Sequence, residues 1–178
     1  MIILETERLL FRDHEQGDLD AYCEMEADPE VRHYVGGAPR PRDAAENKFR
    51  KGLDRPASDR LWMWATVYKP DACYIGRCGV YPHFGPAGGV AGEGTLGFYL
   101  ARAYWGRGLA TEAGRAFVNF GFHELHLSRI VTAVQVGNDA SVRVLEKLGF
   151  TLVRTEMGAV RSFCHFELLP KPRPSGAV

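Results

Sequence analysis

The 178-residue chain lacks several features, beginning with an excess of charge of either sign. Its 22 basic and 22 acidic side chains cancel, and a nucleic-acid partner is not expected because it would need a basic face. No apolar run approaches the roughly 18 residues of a membrane-spanning helix. The first residues also lack the basic start and apolar stretch of a secretory signal. These absences predict a cytoplasmic protein without a membrane partner.

Cysteine is scarce and scattered. The four cysteines form no Cys-x-x-Cys motif, and no histidine pair completes a zinc pattern with them. The His-Glu-Leu-His segment at 123–126 also departs from the His-Glu-x-x-His spacing of a zinc-binding helix. We therefore expect free thiols in a reducing compartment and no metal.

The composition is that of an ordinary globular protein, with 46% apolar and 25% charged residues. The length suits one domain with a sizeable core, which we place at residues 1–169. The Pro-rich, basic segment 170–178 predicts a disordered tail. The apolar patterns predict the order β-α-α-β-β-β-α-β-α-β-β, with a first strand at 2–13 and a flexible loop at 85–92. Cap signals predict one helix over about 19–27 that begins at Asp18 and another over about 139–148 that ends at Gly149. This order indicates a mixed sheet of the α/β (α+β) class.

The most informative stretch runs from Glu93 to Ala113. It alternates like a strand over 93–100, and its last part begins a helix with an apolar stripe. The turn Gly106-Arg107-Gly108 lies between them. Unpaired N–H groups converge at such a helix N-terminus, and the helix dipole adds partial positive charge. We interpret the turn as a cradle for a diphosphate.

Other common motifs are absent from this stretch. A dinucleotide fold needs Gly-x-Gly-x-x-Gly, but Thr111 stands where the third glycine would be. The Gly-Lys-Ser/Thr of a nucleotide phosphate loop is missing too. The chain contains no Gly-x-Ser-x-Gly elbow, so a hydrolase triad has no obvious nucleophile.

Three motifs, in this order, resemble the GNAT superfamily of acetyl-CoA-dependent N-acetyltransferases. They are Leu-Gly-Phe-Tyr-Leu at 96–100, Tyr-Trp-Gly-Arg-Gly-Leu-Ala-Thr-Glu-Ala at 104–113, and Asn-Asp-Ala-Ser-Val-Arg-Val-Leu-Glu-Lys-Leu-Gly-Phe at 138–150. The opening Glu-Thr-Glu-Arg-Leu-Leu-Phe-Arg resembles the branch that contains the ribosomal-protein alanine acetyltransferases. The resemblance covers residues 5–168. It implies a GNAT-like single domain with a mixed central sheet of six to seven strands flanked by helices, splayed between the strands at 93–100 and 129–136.

The resemblance implies that acetyl-CoA is the cosubstrate and binds in this splay. The superfamily's diphosphate motif falls on 103–108, where Ala103 departs from the usual first residue. Small residues there let the phosphates approach the backbone closely. The pantetheine arm should pair with the exposed strand edge as an added strand does. The residues expected to contact the coenzyme are Phe98, Tyr99, Leu100, Arg102, Gly106, Arg107, Gly108, Leu109, Ala110, Thr111 and Asn138, the last with a helix N-cap as its alternative role.

The resemblance also suggests two catalytic residues. Many family members protonate the leaving thiolate with a tyrosine where this chain has Leu145. Ser141 is the candidate acid instead, and its alternative role is that of a first-turn helix serine. Relatives often carry an acidic residue where Thr95 stands. Glu93, two residues earlier, is the candidate base acting through water.

The resulting prediction is acetyl transfer from acetyl-CoA to a primary amine by direct attack in a ternary complex, with a protein N-terminal α-amine as the acceptor. Acetylation of a small amine, such as an antibiotic, a polyamine or an amino acid, is the alternative. Binding of acyl-CoA without catalysis is a third reading, because positions 95 and 145 both depart from the family pattern. The sequence leaves a homodimer open.

Overall fold

The computed structural model describes residues 1–56, 58–85 and 88–171. Most of the predicted tail, residues 172–178, lies outside the described part of the chain. Within these ranges no helix is long and apolar enough to cross a membrane.

The described residues form eight strands and five α-helices. In chain order they are β1 Ile2–Glu5, β2 Leu9–Arg12, α1 Leu19–Ala27, α2 Pro29–His33, α3 Arg42–Leu53, β3 Trp62–Tyr68, β4 Cys73–Gly85, β5 Gly88–Leu100, α4 Leu109–His123, β6 Arg129–Gln135, α5 Asp139–Leu148, β7 Thr151–Glu156 and β8 Phe163–Leu168. Short 3-10 turns precede α1, join β3 to β4, and follow β5.

All eight strands lie in one sheet of order β1-β2-β3-β4-β5-β6-β8-β7. The β5–β6 pair is parallel, and every other neighbouring pair is antiparallel. The mixed sheet and flanking helices confirm the predicted fold class. The strand count exceeds the predicted six to seven because segment 2–13 turns back on itself as the β1–β2 hairpin.

The predicted loop at 85–92 is largely a continuation of two strands. β4 extends to Gly85, β5 begins at Gly88, and these two glycines pair. The register shifts between Pro82, which opposes Gly94, and Phe84, which opposes Gly89. Four residues of β5, 90–93, therefore stand against His83 alone. A bulge in a strand favours glycine as a loop does, so the glycine-rich composition predicted a loop where the two strands continue.

One face of the sheet packs against α4 and forms the main core. The rings of Phe11 and Phe117 meet edge to face at 4.7 Å, and both side chains are fully buried. Two helical glycines make this packing close. A Cβ added at Gly114 would lie 2.5 Å from Leu148, and one at Gly121 would lie 2.8 Å from Ile130. The absence of a side chain therefore lets α4 approach its neighbours.

A second apolar cluster lies beneath α1 and α3. Its buried members are Tyr22, Cys23, Ala45 and Phe49. Helix α1 ends where Asp28 and Pro29 stop it, and the carboxylate of Asp28 then accepts a hydrogen bond from Glu30 N at the start of α2. The short α2 is thereby directed toward the carboxyl end of β5.

Candidate active site

The parallel strands β5 and β6 pair over a short distance and then separate. Their register covers three pairs, from Glu93 opposite Arg129 to Thr95 opposite Val131. Beyond Thr95, β5 continues against β4, while β6 pairs with β8. This is the predicted splay. It leaves the carboxyl half of β5 with a strand edge that faces a gap.

Two hydrogen bonds show which backbone groups of β5 face this gap. Ser128 N donates to Gly92 O at 2.8 Å, and the indole nitrogen of Trp105 donates to Leu100 O at 2.7 Å. Both carbonyls therefore point away from β4. Because backbone directions alternate along a strand, the N–H groups of Phe98 and Leu100 lie on the gap side.

The turn after β5 has the backbone geometry of an anion cradle. Gly106 and Gly108 adopt left-handed conformations, with φ of +71° and +76°, which other residues adopt at a cost. Gly108 is the N-cap of α4, so the unpaired N–H groups of the first helical turn begin there. No described atom lies within 4 Å of the point where Gly106 would carry a Cβ. A diphosphate has room to approach this backbone, and the turn fits the coenzyme that the sequence implied.

A cavity of about 490 Å³ joins the gap to this turn. It brings together most of the predicted site residues: Phe98, Tyr99, Leu100, Gly106, Gly108, Leu109, Ala110, Thr111, Asn138 and Ser141. Glu93, Arg102 and Arg107 do not line it. The opposite wall comes from α2 and the residues just after it, at 30, 31 and 33–35.

The side chain of Arg107 points away from the cavity. Its guanidinium donates to Tyr68 Oη at 2.7 Å and stacks over the rings of Tyr68 and Tyr104. Its neighbour in the prediction, Arg102, is exposed. Neither arginine lines the cavity, so their contact with the coenzyme stays a prediction. Arg107 instead anchors the turn to β3.

The turn is also held from its other side. Nη1 of Arg8 donates to Arg107 O at 3.0 Å. The carboxylate of Glu112, in the first turn of α4, accepts from Arg8 Nε at 2.7 Å and from Thr6 Oγ1 at 2.6 Å. Burial favours the neutral acid, but the hydrogen bonds from Thr6 and Arg8 outweigh it and hold the pKa of Glu112 below its ordinary value. The opening Thr-Glu-Arg motif therefore supports the turn.

Helix α5 supplies the third side of the cavity. The Asn138 side chain accepts from Ser141 N at 3.2 Å and is thus the helix N-cap. Ser141 lines the cavity, whereas Leu145 is fully buried in the core. The serine is therefore placed where a proton donor could reach the gap.

Glu93 is engaged elsewhere. Its carboxylate accepts from Arg129 at 2.9 Å, and the same guanidinium donates to Glu167 at 3.1 Å. This ion pair lies where β5 and β6 are still in register. The bulge at 90–93 places Glu93 at the closed end of the split, so the structure does not bring it together with Ser141.

Several cavity residues were not found from the sequence. Arg143 and Lys147 line the cavity from α5, and their spacing of four residues puts them on one helix face. Tyr34 donates its hydroxyl to Gly137 O at 2.9 Å and thus joins α2 to the loop before α5. The spacing of four residues between Arg143 and Lys147 could have indicated from the sequence that both side chains lie on one face of α5. The Tyr34 bridge joins residues 103 apart in sequence, and no local pattern indicates it.

A split parallel strand pair with a glycine turn at its end is the arrangement that the resemblance to coenzyme A-dependent acetyltransferases implied. A family model described as an acetyltransferase (GNAT) domain matches residues 8–151. The chain therefore belongs to the GNAT acetyltransferase family, and it is an acetyl-CoA-dependent N-acetyltransferase that acts on an amine. An uncharacterized N-acetyltransferase, p20 of Bacillus licheniformis, is 32% identical over 84% of this chain and 83% of its own length.

Solved structures share the fold. A GNAT-family acetyltransferase from Bacillus anthracis superimposes with a TM-score of 0.80 at 24% identity, covering 95% of this chain and 98% of that one. A spermidine N-acetyltransferase from Vibrio cholerae, in complex with CoA and spermine, has a TM-score of 0.75 at 17% identity over 92% and 96% of the two chains. A ribosomal-protein-S5-alanine acetyltransferase from Vibrio fischeri has a TM-score of 0.73 at 18% identity over 93% and 95%. At these identities the likeness is one of fold and does not choose an acceptor.

Proposed function

We propose that the cavity binds acetyl-CoA between β5 and β6 and that the acetyl group passes directly to the α-amine of a protein N-terminus. The observation that carries this proposal is the junction of the split with the left-handed glycine turn in one cavity. The N–H groups from Arg107 to Thr111 would hold the diphosphate. The free edge of β5 would hold the pantetheine arm as an added strand.

The backbone at the end of β5 supplies a stabilising group for the reaction. The amine nitrogen bonds to the thioester carbonyl carbon, the carbon–sulfur bond breaks, and the amine proton balances the charge on the leaving sulfur. Negative charge develops on the carbonyl oxygen during the attack. One gap-facing N–H group, that of Phe98 or that of Leu100, would donate to that oxygen. Ser141 is the proposed donor to the sulfur, and it regains its proton from the amine, so that one proton in all passes from nitrogen to sulfur.

The charged groups around the cavity favour an amine that loses its proton easily. Among the described residues that line it, Glu30 is the one carboxylate, and it lies on the exposed side of α2. An α-amine has a pKa near 8 and a lysine side chain near 10.4, so deprotonation at pH 7 costs about 1.4 and about 4.6 kcal/mol. The candidate bases are therefore Glu30, at the exposed side, and the imidazole of His33, and this modest set suits the α-amine better than lysine.

The test is thiol release from acetyl-CoA across matched acceptors: N-terminal peptides, the same peptides with an internal lysine and a blocked N-terminus, and small amines including spermidine. We expect the peptides with free α-amines to be turned over fastest. Initial rates should give intersecting double-reciprocal lines, because both substrates bind before transfer. Parallel lines would indicate an acetyl-enzyme and contradict direct attack. Binding of acetyl-CoA without turnover of any acceptor would contradict the proposed transfer.

A further inference from the structure

Behind the cavity wall lies a buried group of charges that the proposed chemistry does not use. Glu26 of α1 is 2% exposed and accepts from three arginines. Arg77 of β4 donates at 2.5 Å, Arg40 at 2.9 Å and Arg32 at 3.1 Å. Burial alone would raise the pKa of Glu26, but Arg77 and Arg40 outweigh it and lower that pKa to about 2. The carboxylate therefore stays ionised at neutral pH.

This arginine cluster, consisting of Glu26, Arg32, Arg40 and Arg77, carries more positive than negative charge. In the described part of the chain, Glu26 is the one carboxylate within ion-pair distance of any of its three arginines. Three guanidinium groups against one carboxylate leave two positive charges in excess. Burying charge without a partner is costly. An excess of this kind beside a cavity produces a field that attracts anions.

Arg77 connects the cluster to the cavity. Its Cζ lies 4.9 Å from the ring centre of Tyr99 and 5.0 Å from that of Tyr22. Arg77 and Tyr99 are register partners on β4 and β5, and Tyr99 lines the cavity. Nη1 of Arg77 is buried and has no hydrogen-bond partner among the described residues. One aromatic ring therefore separates the excess charge from the cavity.

From this arrangement we infer that the arginine cluster selects the acceptor: the amine that this enzyme acetylates carries a carboxylate, which lies at the Tyr99 side of the cavity. The inference rests on the acetyl transfer of the proposed function, and it adds a carboxylate as the feature that the acceptor must carry, whether or not that acceptor is a protein N-terminus. Two sources share the required chemistry, a free amino acid and a peptide with an acidic residue next to its N-terminus. Polyamines, which carry only positive charge, are disfavoured by the same field.

The first experiment compares pairs of acceptors that differ by one carboxylate. Acetyl transfer is measured for lysine and cadaverine, ornithine and putrescine, and phenylalanine and phenethylamine. Peptides that begin Ala-Glu and Ala-Gln form the peptide arm. The carboxylate-bearing member should have a kcat/KM about tenfold higher or more, mainly through KM. Equal rates within pairs, or a preference for the decarboxylated amines, would overturn the inference.

Variants at neighbouring arginines then test the cause. Arg40→Met removes the most exposed arginine of the cluster and leaves Arg77 in place. Arg42→Met, two residues along, removes an exposed arginine that pairs with Asp20 and Glu46 outside the cluster. We expect the carboxylate preference to fall several-fold in the first variant and to persist in the second. The same preference in both would overturn the role of the cluster.

Arg77→Met should abolish the preference, provided that it folds, which its melting temperature and acetyl-CoA affinity will show. Failure of this variant to fold leaves the acceptor pairs and the Arg40 comparison as sufficient tests. If acetyl-CoA binds but no acceptor is turned over, the proposed transfer is wrong. The inference is then judged by equilibrium binding of the same pairs to the CoA complex. Tighter binding of the carboxylate members supports it, and equal or absent binding overturns it.

Discussion

Arg8 and Glu112 are 104 positions apart in sequence, and their side chains meet beneath the diphosphate turn. The Arg8 guanidinium contacts the Glu112 carboxylate with Nε at 2.7 Å and Nη2 at 2.6 Å, and its Nη1 donates to the carbonyl of Arg107 at 3.0 Å. The first hairpin of the chain thereby fixes a turn that begins nearly 100 residues later. The position of the turn is set by an ion pair as well as by its own glycines.

Replacement of Glu112 by glutamine should therefore weaken coenzyme binding. The amide keeps the shape but loses the charge that holds Arg8, and a hydrogen bond to a charged group contributes about 1.5–3 kcal/mol. We expect the Kd for acetyl-CoA, measured by calorimetry, to rise about tenfold with little change in kcat. Glu24→Gln, at an exposed position of α1, serves as the control. An unchanged Kd would show that the turn keeps its shape without this support.

Gly106→Ala should separate coenzyme binding from stability. The left-handed conformation costs a residue with a Cβ about 1–2 kcal/mol, and no described atom blocks the new methyl group. The fold should survive, while the methyl group occupies the space that a phosphate needs, so affinity for acetyl-CoA should fall at least tenfold. Gly17→Ala adds the same methyl group in open space without a left-handed backbone and should leave affinity unchanged. Equal affinities for acetyl-CoA in the two variants would show that the turn does not bind the coenzyme.

Ser141→Ala should lower kcat by about 100-fold, the lower end of what a positioned proton donor contributes. The KM for acetyl-CoA should stay within about twofold, because the Asn138 cap binds the backbone of residue 141 and remains in place. Ser162→Ala, outside the cavity lining, is the matched control. A kcat close to that of the wild type would show that Ser141 is a helix residue with no part in proton transfer.

Glu93→Gln should leave the pH dependence of kcat/KM unchanged. The carboxylate is bound to Arg129 and lies outside the cavity lining. The cost in stability should be about 0–1 kcal/mol, because the Arg129 side chain is 38% exposed. Loss of the acidic limb of the profile, with kcat restored at high pH, would instead identify Glu93 as the general base.

Glu26 should make stability fall at low pH. Its folded pKa of about 2 lies below the ordinary value of 4.5, so between these values the unfolded state binds more protons. The contribution is complete above about pH 4.5 and is lost as the pH falls toward 2, amounting to about 3 kcal/mol. Urea unfolding at pH 7, 5, 4 and 3 should show this loss in the wild type and a flatter profile in Glu26→Gln. Parallel profiles would mean that other carboxylates dominate the acid sensitivity.

Local signals in the sequence predicted helices well. Helix α5 occupies the predicted 139–148, capped by Asn138 and ended by Gly149 at φ +88°. Helix α1 occupies the predicted 19–27, but the reason for its start was wrong. Asp18 was expected to cap α1, yet its carboxylate binds Arg12 at 2.7 Å and makes no side-chain cap bond. Boundaries are thus easier to read than the contacts that produce them.

Side-chain direction and long-range pairing were the parts that local patterns missed. The Gly-Arg-Gly turn lies at the N-terminus of α4, where the sequence placed it, whereas the direction of the arginine side chain, toward Tyr68 39 residues away, was not predicted. Glu93 remains a predicted base, and its ion pair with Arg129 on the next strand is a contact that the sequence did not indicate. The cavity wall contributed by α2 depends on how that helix packs against the rest of the fold, and no sequence motif indicates that packing.

The three registered pairs between β5 and β6 fix the point from which the two strands diverge. From Thr95 to Leu100 the strand rises about 17 Å, so a rotation of about 10° about the paired end moves Leu100 by about 3 Å. That displacement is close to the length of two carbon–carbon bonds. The Glu93–Arg129 ion pair lies at the paired end, so a contact at one end of the strand bears on the width of the gap at the other end.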